Sequence, residues 1–269
     1  GSRLQFPLGP PSPGWWRHWG IIRTLRRERF DLAFNFSGAD RTLFLTALTG
    51  AKWRLAHQAG RRHFWNRWLI ADWVPRQDPG LPVFEQRRQV LAAAGLTLQP
   101  ARFDLRIPNT ELEWADRVVP SNLVHLSINA STPVKEWPLE RWIDLGRVIL
   151  RDQPALNLVA SGSSRARERE RLSRFEAAIQ NPRLTILPGN LTIARLSAVL
   201  SKSRVHVGGD SGVIHLAMAL GVPTLSLFRQ YEGTREWLPR GPGHRHLTAP
   251  VLASISTDRV AKELGRQFE

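Results

Sequence analysis

Four polar residues, Asp210, Ser211, Gly212 and His215, interrupt two apolar runs in VGGDSGVIHLAMALGVPTLSLF (207–228). A packed core has no use for them, whereas an anionic ligand does. With RVHVGG (204–209) as a strand and GVIHLAMALG (212–221) as a helix, they stand where free backbone N–H groups and the helix dipole favour phosphate. Gly212 lets a ligand approach the backbone, Ser211 adds a hydroxyl, and His215 lies one turn on, facing the same opening. An aspartate set directly on a phosphate repels it, so the ligand role for Asp210 is to accept hydrogen bonds from sugar hydroxyls. A structural role competes in each case: Asp210 as a helix N-cap and His215 as a satisfied core histidine.

A second polar loop, NASTPVKEWPLERW (129–142), follows the β-rich run NLVHLSI (122–128). Ser131 and Thr132 offer hydroxyls, Lys135 a mobile cation, and Trp137-Pro138 opens a helix. A lone loop lysine is usually solvated surface. In a parallel sheet, however, this loop shares an edge with the Asp210 loop, and two hydroxyls, a lysine and a helix N-terminus suit a diphosphate.

The elements that must position these loops read as alternating strands and helices. LERWIDLGRVILRD (139–152) repeats Trp142, Leu145, Val148 and Ile149 at helical spacing. ALNLVASG (155–162) is a buried strand and RARERERLSRFEAAIQ (165–180) a charged amphipathic helix. RLTILPG (183–189), TIARLSAVLSKS (192–203) and RVHVGG (204–209) continue as strand, helix, strand. Gly221 closes the next helix, and VPTLSLF (222–228) follows as a strand. The pattern predicts an α/β, Rossmann-like parallel sheet covered on both faces. The first half repeats it less cleanly: helices at 15–28 and 83–96, strands at 30–36 and 52–57, a loop and helix at 37–50, extended chain at 101–108, and no clear period at 61–77. It is short of at least one strand-helix pair, since it opens on the loop PLGPPSPG. The division falls between residues 108 and 121, giving an incomplete unit 1–115 and a second unit 116–269.

With 269 residues, 42% of them hydrophobic, the chain can bury two cores. It has no cysteine, so neither disulfides nor thiolate metal sites hold it, in keeping with a reducing compartment. No apolar run approaches transmembrane length and no signal peptide is expected. No metal-ligand cluster is visible, so no cofactor and no tightly bound metal are expected. The net charge of +15 predicts attraction to something anionic. Between Trp15 and Trp68 there are eleven Lys/Arg against three acids, and six of the eleven tryptophans. Interleaved Trp and Arg mark a surface that meets lipid headgroups. A solvated basic face with core tryptophans is the plainer alternative. Nucleic acid is the weakest reading, because no helix-turn-helix, RNP or zinc pattern accompanies the charge.

INASTPVKEWPLERW and LPGNLTIARLSAVLSKSRVHVGGDSGVIHLAMALGVPTLSLF together resemble glycosyltransferase family 9, the ADP-heptose:lipopolysaccharide heptosyltransferases. REWLPRGPGHRHLTAP (235–250) resembles the Trp…Pro-Gly-rich stretch before that family's last strand. The likeness covers nearly all of 120–269, is specific in its DSG-x-x-H-x-A-x-A-x-G-x-P core, and continues more faintly through residues 25–56. It implies a GT-B fold of two Rossmann-like domains, an acceptor-side one and a nucleotide-sugar-binding one, with an inter-domain cleft. It also implies that Ser131, Thr132 and Lys135 contact the donor diphosphate and that Asp210, Ser211, Gly212 and His215 hold sugar and phosphate. Leu191 is then near the adenine and Glu168 near the ribose. The implied reaction is inverting transfer from ADP-heptose to a lipid-linked, anionic core saccharide, by a cytoplasmic protein peripheral to the inner face of the cytoplasmic membrane.

Two departures stand out. The family's N-terminal strand ends in a Gly-Asp loop whose aspartate is the expected base, and nothing here matches it, so the chain is expected to begin inside that domain. Within the sequence Asp40 is the substitute, although an N-cap of the helix at 41–49 is its commoner role, and Arg41 beside it can grip an anionic acceptor. Arg229 replaces the family's usual glycine after LF, as a phosphate contact or as solvated surface. A non-catalytic module that binds the nucleotide sugar is the rival reading, and a transferase using another donor the third.

Overall fold

The computed structural model describes residues 16–37, 39–57, 66–70, 72–74, 80–99, 102–187 and 189–268. The chain divides into two compact units, residues 1–100 and 101–269. The first contains α1 (Trp16–Arg27), β1 (Leu32–Asn35), α2 (Asp40–Leu48), β2 (Trp53–His57), α3 (Asn66–Leu69), β3 (Asp72–Val74) and α4 (Val83–Ala92). Its strands form a parallel sheet in the order β1-β2-β3. Leu43, Ala56 and Ile70 make a small core there. The stretch without visible period contains α3 and β3, each too short to display one.

The second unit opens with α5 (Asn109–Val118), then β4 (Leu123–Ser127), α6 (Leu139–Asp152), β5 (Asn157–Ala160), α7 (Ala166–Ile179) and β6 (Leu184–Ile186). It continues with α8 (Ile193–Ser201), β7 (Ser203–Gly209), α9 (Gly212–Ala219), β8 (Thr224–Arg229), α10 (Thr234–Trp237), β9 (His244–Ala249) and α11 (Thr257–Gly265). A 3-10 turn at Pro133–Lys135 lies between β4 and α6.

The boundary expected at 115/116 falls inside α5. The structure divides instead near residue 100, because α5 packs within the second unit. Its Ala115, with Val119, joins Leu123, Val159, Leu187, Ala198 and Val199 in one core cluster. Glu111 accepts from Arg195 Nε of α8 at 3.1 Å, and Asp116 pairs with Lys202.

The second sheet is parallel throughout, in the order β6-β5-β4-β7-β8-β9. Strand order reverses between β4 and β7, which makes their carboxyl ends the topological switch point where open α/β sheets bind ligands. Below it the sheet is covered by Trp142, Leu145 and Ile149 of α6, three of the four positions read as one face, with Val148 half-buried. Trp137 stacks edge-on against Trp142 with centroids 5.1 Å apart, and its Nε1 donates to the Ile255 carbonyl at 3.0 Å. At the far end of α9, Gly221 adopts φ 73°. There its N–H reaches the Met218 carbonyl and the Val222 N–H the Ala217 carbonyl, a Schellman ending that only glycine adopts without strain.

Candidate functional site

The two polar loops meet at the switch point. Ser127 and Gly208 are register partners at the ends of β4 and β7, so residues 128–138 and 210–211 leave the sheet side by side. Lys135 Nζ lies 2.6 Å from Asp210 Oδ2, with the aspartate side chain largely buried and the lysine one-third exposed. The two groups that sequence analysis assigned separately, to phosphate and to sugar, are therefore an ion pair in the free protein.

Asp210 is not the N-cap of α9. That position belongs to Ser211, in extended geometry, and its side chain makes no capping hydrogen bond. The Ser211 hydroxyl is buried with no partner among the described residues. An orphaned buried hydroxyl beside a helix N-terminus asks for a ligand acceptor or donor. A side chain at Gly212 would meet nothing within 4 Å, so the helix start is open. His215 sits one turn on and packs edge-on against Trp237, centroids 5.8 Å apart. Burial holds its pKa below the ordinary value, with the Asp210 carboxylate opposing the shift, so the ring is neutral near pH 7.

Beside this cluster lies a cavity of about 430 Å³ walled by Ser127, Ser131, Ser161, Glu168, Leu191 and Ser211, among others. Four residues singled out in the sequence, Ser131, Glu168, Leu191 and Ser211, thus share one cavity. Thr132, Lys135, Asp210, Gly212 and His215 do not wall it, but Thr132, Asp210 and Gly212 are chain neighbours of Ser131 and Ser211 at its rim. Glu168 has a fastening role as well, since its Oε2 accepts the Ser163 N–H at 2.9 Å. At Gly189 a methyl group would come within 2.4 Å of the Ser163 carbonyl, so backbone lies against backbone at that wall.

Sequence reasoning missed what holds the Lys135 loop in place. Glu136, nearly buried, accepts the Ala130 N–H at 3.1 Å and pairs with Arg167 at 2.6 Å. Arg171 lies 3.7 Å from the same carboxylate and donates to Asn129 Oδ1 and to the carbonyls of Ile128 and Trp137. The available signal was the i, i+4 spacing of the two arginines on α7. Glu136→Gln keeps the shape and removes the charge. It is expected to cost about 1–2 kcal/mol of stability and to weaken nucleotide binding through the loosened loop. Unchanged melting and unchanged affinity would show that the network positions nothing.

The remaining positions are less directly placed. Arg229 is exposed, and its Nε donates to the Pro250 carbonyl at 3.2 Å, which ties the end of β8 to the chain after β9. Arg41 is exposed in the first unit. Asp40 is the first residue of α2, whose N-cap is Ala39, so the N-cap role expected of Asp40 is not the one it fills.

The sequence profile described as glycosyltransferase family 9 (heptosyltransferase) matches residues 18–248. The lipopolysaccharide core heptosyltransferase OpsX of Haemophilus influenzae is 23% identical over 262 residues, covering 94% of this chain and 70% of its own length. The lipopolysaccharide heptosyltransferase 1 of Pseudomonas aeruginosa is 30% identical over 222 residues, covering 80% of this chain. The chain spans 58% of that relative's length. Among solved structures, Escherichia coli ADP-heptose LPS heptosyltransferase II superposes with TM-score 0.71 at 19% identity, over 92% of this chain and 79% of its own. Escherichia coli heptosyltransferase WaaC with ADP superposes with TM-score 0.72 at 15% identity, over 94% and 77%. At such identities these two likenesses establish the shared fold.

Proposed function

The chain belongs to glycosyltransferase family 9, and on that premise we propose that it transfers heptose from ADP-heptose to a lipid-linked, anionic saccharide of the lipopolysaccharide core. The observation that carries this reading is the donor-rich cavity at the switch point. Four of its walls are the positions at which family resemblance expects the nucleotide sugar, and the Lys135–Asp210 pair adjoins it.

In the proposed reaction a carboxylate takes the proton of an acceptor hydroxyl. That oxygen attacks the anomeric carbon from the face opposite the diphosphate, the bond to the diphosphate breaks, and configuration inverts. Lys135, the hydroxyls of Ser131, Thr132 and Ser211, and the start of α9 stabilise the departing charge. Asp210 and His215 hold the sugar, Leu191 packs near the adenine and Glu168 near the ribose. The base is not assigned: the sequence contains no match to the family's Gly-Asp loop, and Asp40 is the substitute it offers, with Arg41 as a grip on the acceptor. A second reading is a module that binds the nucleotide sugar without transferring it. Incubation with ADP-heptose and a heptose-deficient, lipid-linked core saccharide separates the two. The main reading expects heptosylated product with equimolar ADP, whereas binding without product supports the module.

We further propose that the protein works on the inner face of the cytoplasmic membrane. No helix among the described residues is long and apolar enough to cross a membrane, and we propose peripheral attachment through the basic, tryptophan-rich segment. Trp19, Trp53 and Trp68 are 59%, 42% and 71% exposed. Some neighbouring charge is already engaged: Lys52 pairs with Asp31 at 2.8 Å, and Arg54 donates to the carbonyls of Leu69 and Ala51. Trp15, Arg61, Arg62 and Trp65 lie outside the described residues. The protein is expected to sediment with anionic vesicles at low salt and to be released as ionic strength rises. Equal sedimentation with neutral vesicles, or none with either, would contradict this.

A further inference from the structure

Under the floor of the cavity, His125 of β4 and His206 of β7 are register partners, and both rings are completely buried. Their Nδ1 atoms are 2.8 Å apart, and His125 Nε2 lies 2.9 Å from the Ser161 hydroxyl oxygen. Ser161 is 4% exposed and walls the cavity. His206 Nε2, at the other end of the chain of contacts, is buried with no partner among the described residues.

Burial keeps both rings neutral: it lowers His125 to about 3 and His206 well below its ordinary value. Each neutral ring carries one N–H, so the three groups have two consistent arrangements. In one, Ser161 donates to His125, His125 donates through Nδ1 to His206, and the His206 N–H is left at Nε2 without an acceptor. In the other, His206 Nδ1–H donates to His125 Nδ1 and His125 Nε2–H donates to Ser161. The only unused donor is then the Ser161 O–H, at the cavity wall.

The surroundings of His206 Nε2 choose between them. A methyl group built on Gly208 would stand 2.9 Å from that nitrogen, so Nε2 faces the bare Cα of Gly208. A C–H group is a weak partner for a nitrogen lone pair and none for an N–H. The first arrangement strands a donor in the core, while the second places its spare donor where an oxygen-rich ligand can take it.

We propose that His206 and His125 form a relay of fixed tautomers that makes Ser161 a hydrogen-bond donor to an oxygen of the bound nucleoside diphosphate. Ser161 is the ligand-binding residue, and the two histidines are positioning residues. The proposal rests on the nucleotide-sugar reading of the cavity and adds a wall residue to it.

Two measurements test it. Nitrogen-15 spectra of histidine-labelled protein without ligand should show His206 as the Nδ1–H tautomer and His125 as the Nε2–H tautomer. The reverse pair of tautomers overturns the relay whatever the cavity binds. Calorimetric titration with ADP should then show Ser161→Ala binding roughly three- to tenfold more weakly than the wild type. Equal affinity overturns the donor role of Ser161 while leaving the nucleotide reading intact. A wild type that binds no ADP overturns both. Should Ser161→Ala fail to fold, the tautomers of the wild type still decide the relay.

Discussion

Lowering the pH from about 7 to about 5 is expected to strip the protein of stability well before its carboxylates titrate. The cause is the buried His125–His206 pair. Burial depresses the His125 pKa from 6.5 to about 3 and moves His206 in the same direction, with the neighbouring ring adding to the effect. Both groups take up protons more readily in the unfolded chain, so stability rises with pH across the window. Their contribution is intact above about pH 6.5 and is lost progressively as pH falls from there toward the folded values. For His125 alone the slope is about 1.4 kcal/mol per pH unit, or about 2 kcal/mol by pH 5. The partly buried His215 and His244 and the more exposed His246 shift the same way, with desolvation the leading cause, and add to it. Urea unfolding at the two pH values measures the drop directly, and His125→Gln should flatten the slope. A wild type of level stability across this window would contradict a neutral buried pair.

Replacing Lys135 by Ala is expected to weaken ADP binding by about 1.5–3 kcal/mol, the range for a lost charged hydrogen bond. The ion pair adds to the effect. In the free protein Lys135 and Asp210 neutralise one another at 2.6 Å, so the substitution leaves an uncompensated, largely buried carboxylate where the diphosphate is proposed to bind. Changing Asp210→Asn in the same chain should therefore recover part of the loss. Melting should fall as well and recover in the double variant, since the carboxylate left without its partner is largely buried. Unchanged ADP affinity in Lys135→Ala would remove the residue from the site.

The second unit was legible because its elements are long and its period is clear. Trp142, Leu145 and Ile149 recur on one face of α6, and β4, β5 and β7 are apolar runs bounded by loops. Reading parallel strands from their alternation with helices also put the Ser131 and Asp210 loops on one sheet edge. Three features were hidden for physical reasons. Helix α5 mixes charged and apolar residues between Pro108 and Pro120, and its place depends on α8, some eighty residues away. The Lys135–Asp210 contact depends on side-chain reach across two loops, which spacing in sequence does not encode. His125 and His206 are each a single polar residue in an apolar strand, and they become a pair only through the register of β4 on β7.

The most direct test of the proposed function is calorimetric titration of the intact protein with ADP-heptose, run beside UDP- and GDP-linked sugars. Preferential, saturable binding of ADP-heptose, competed by ADP, is the result expected of the cavity walled by Ser131, Glu168, Leu191 and Ser211. Absence of binding, or a preference for a UDP- or GDP-linked sugar, would contradict it.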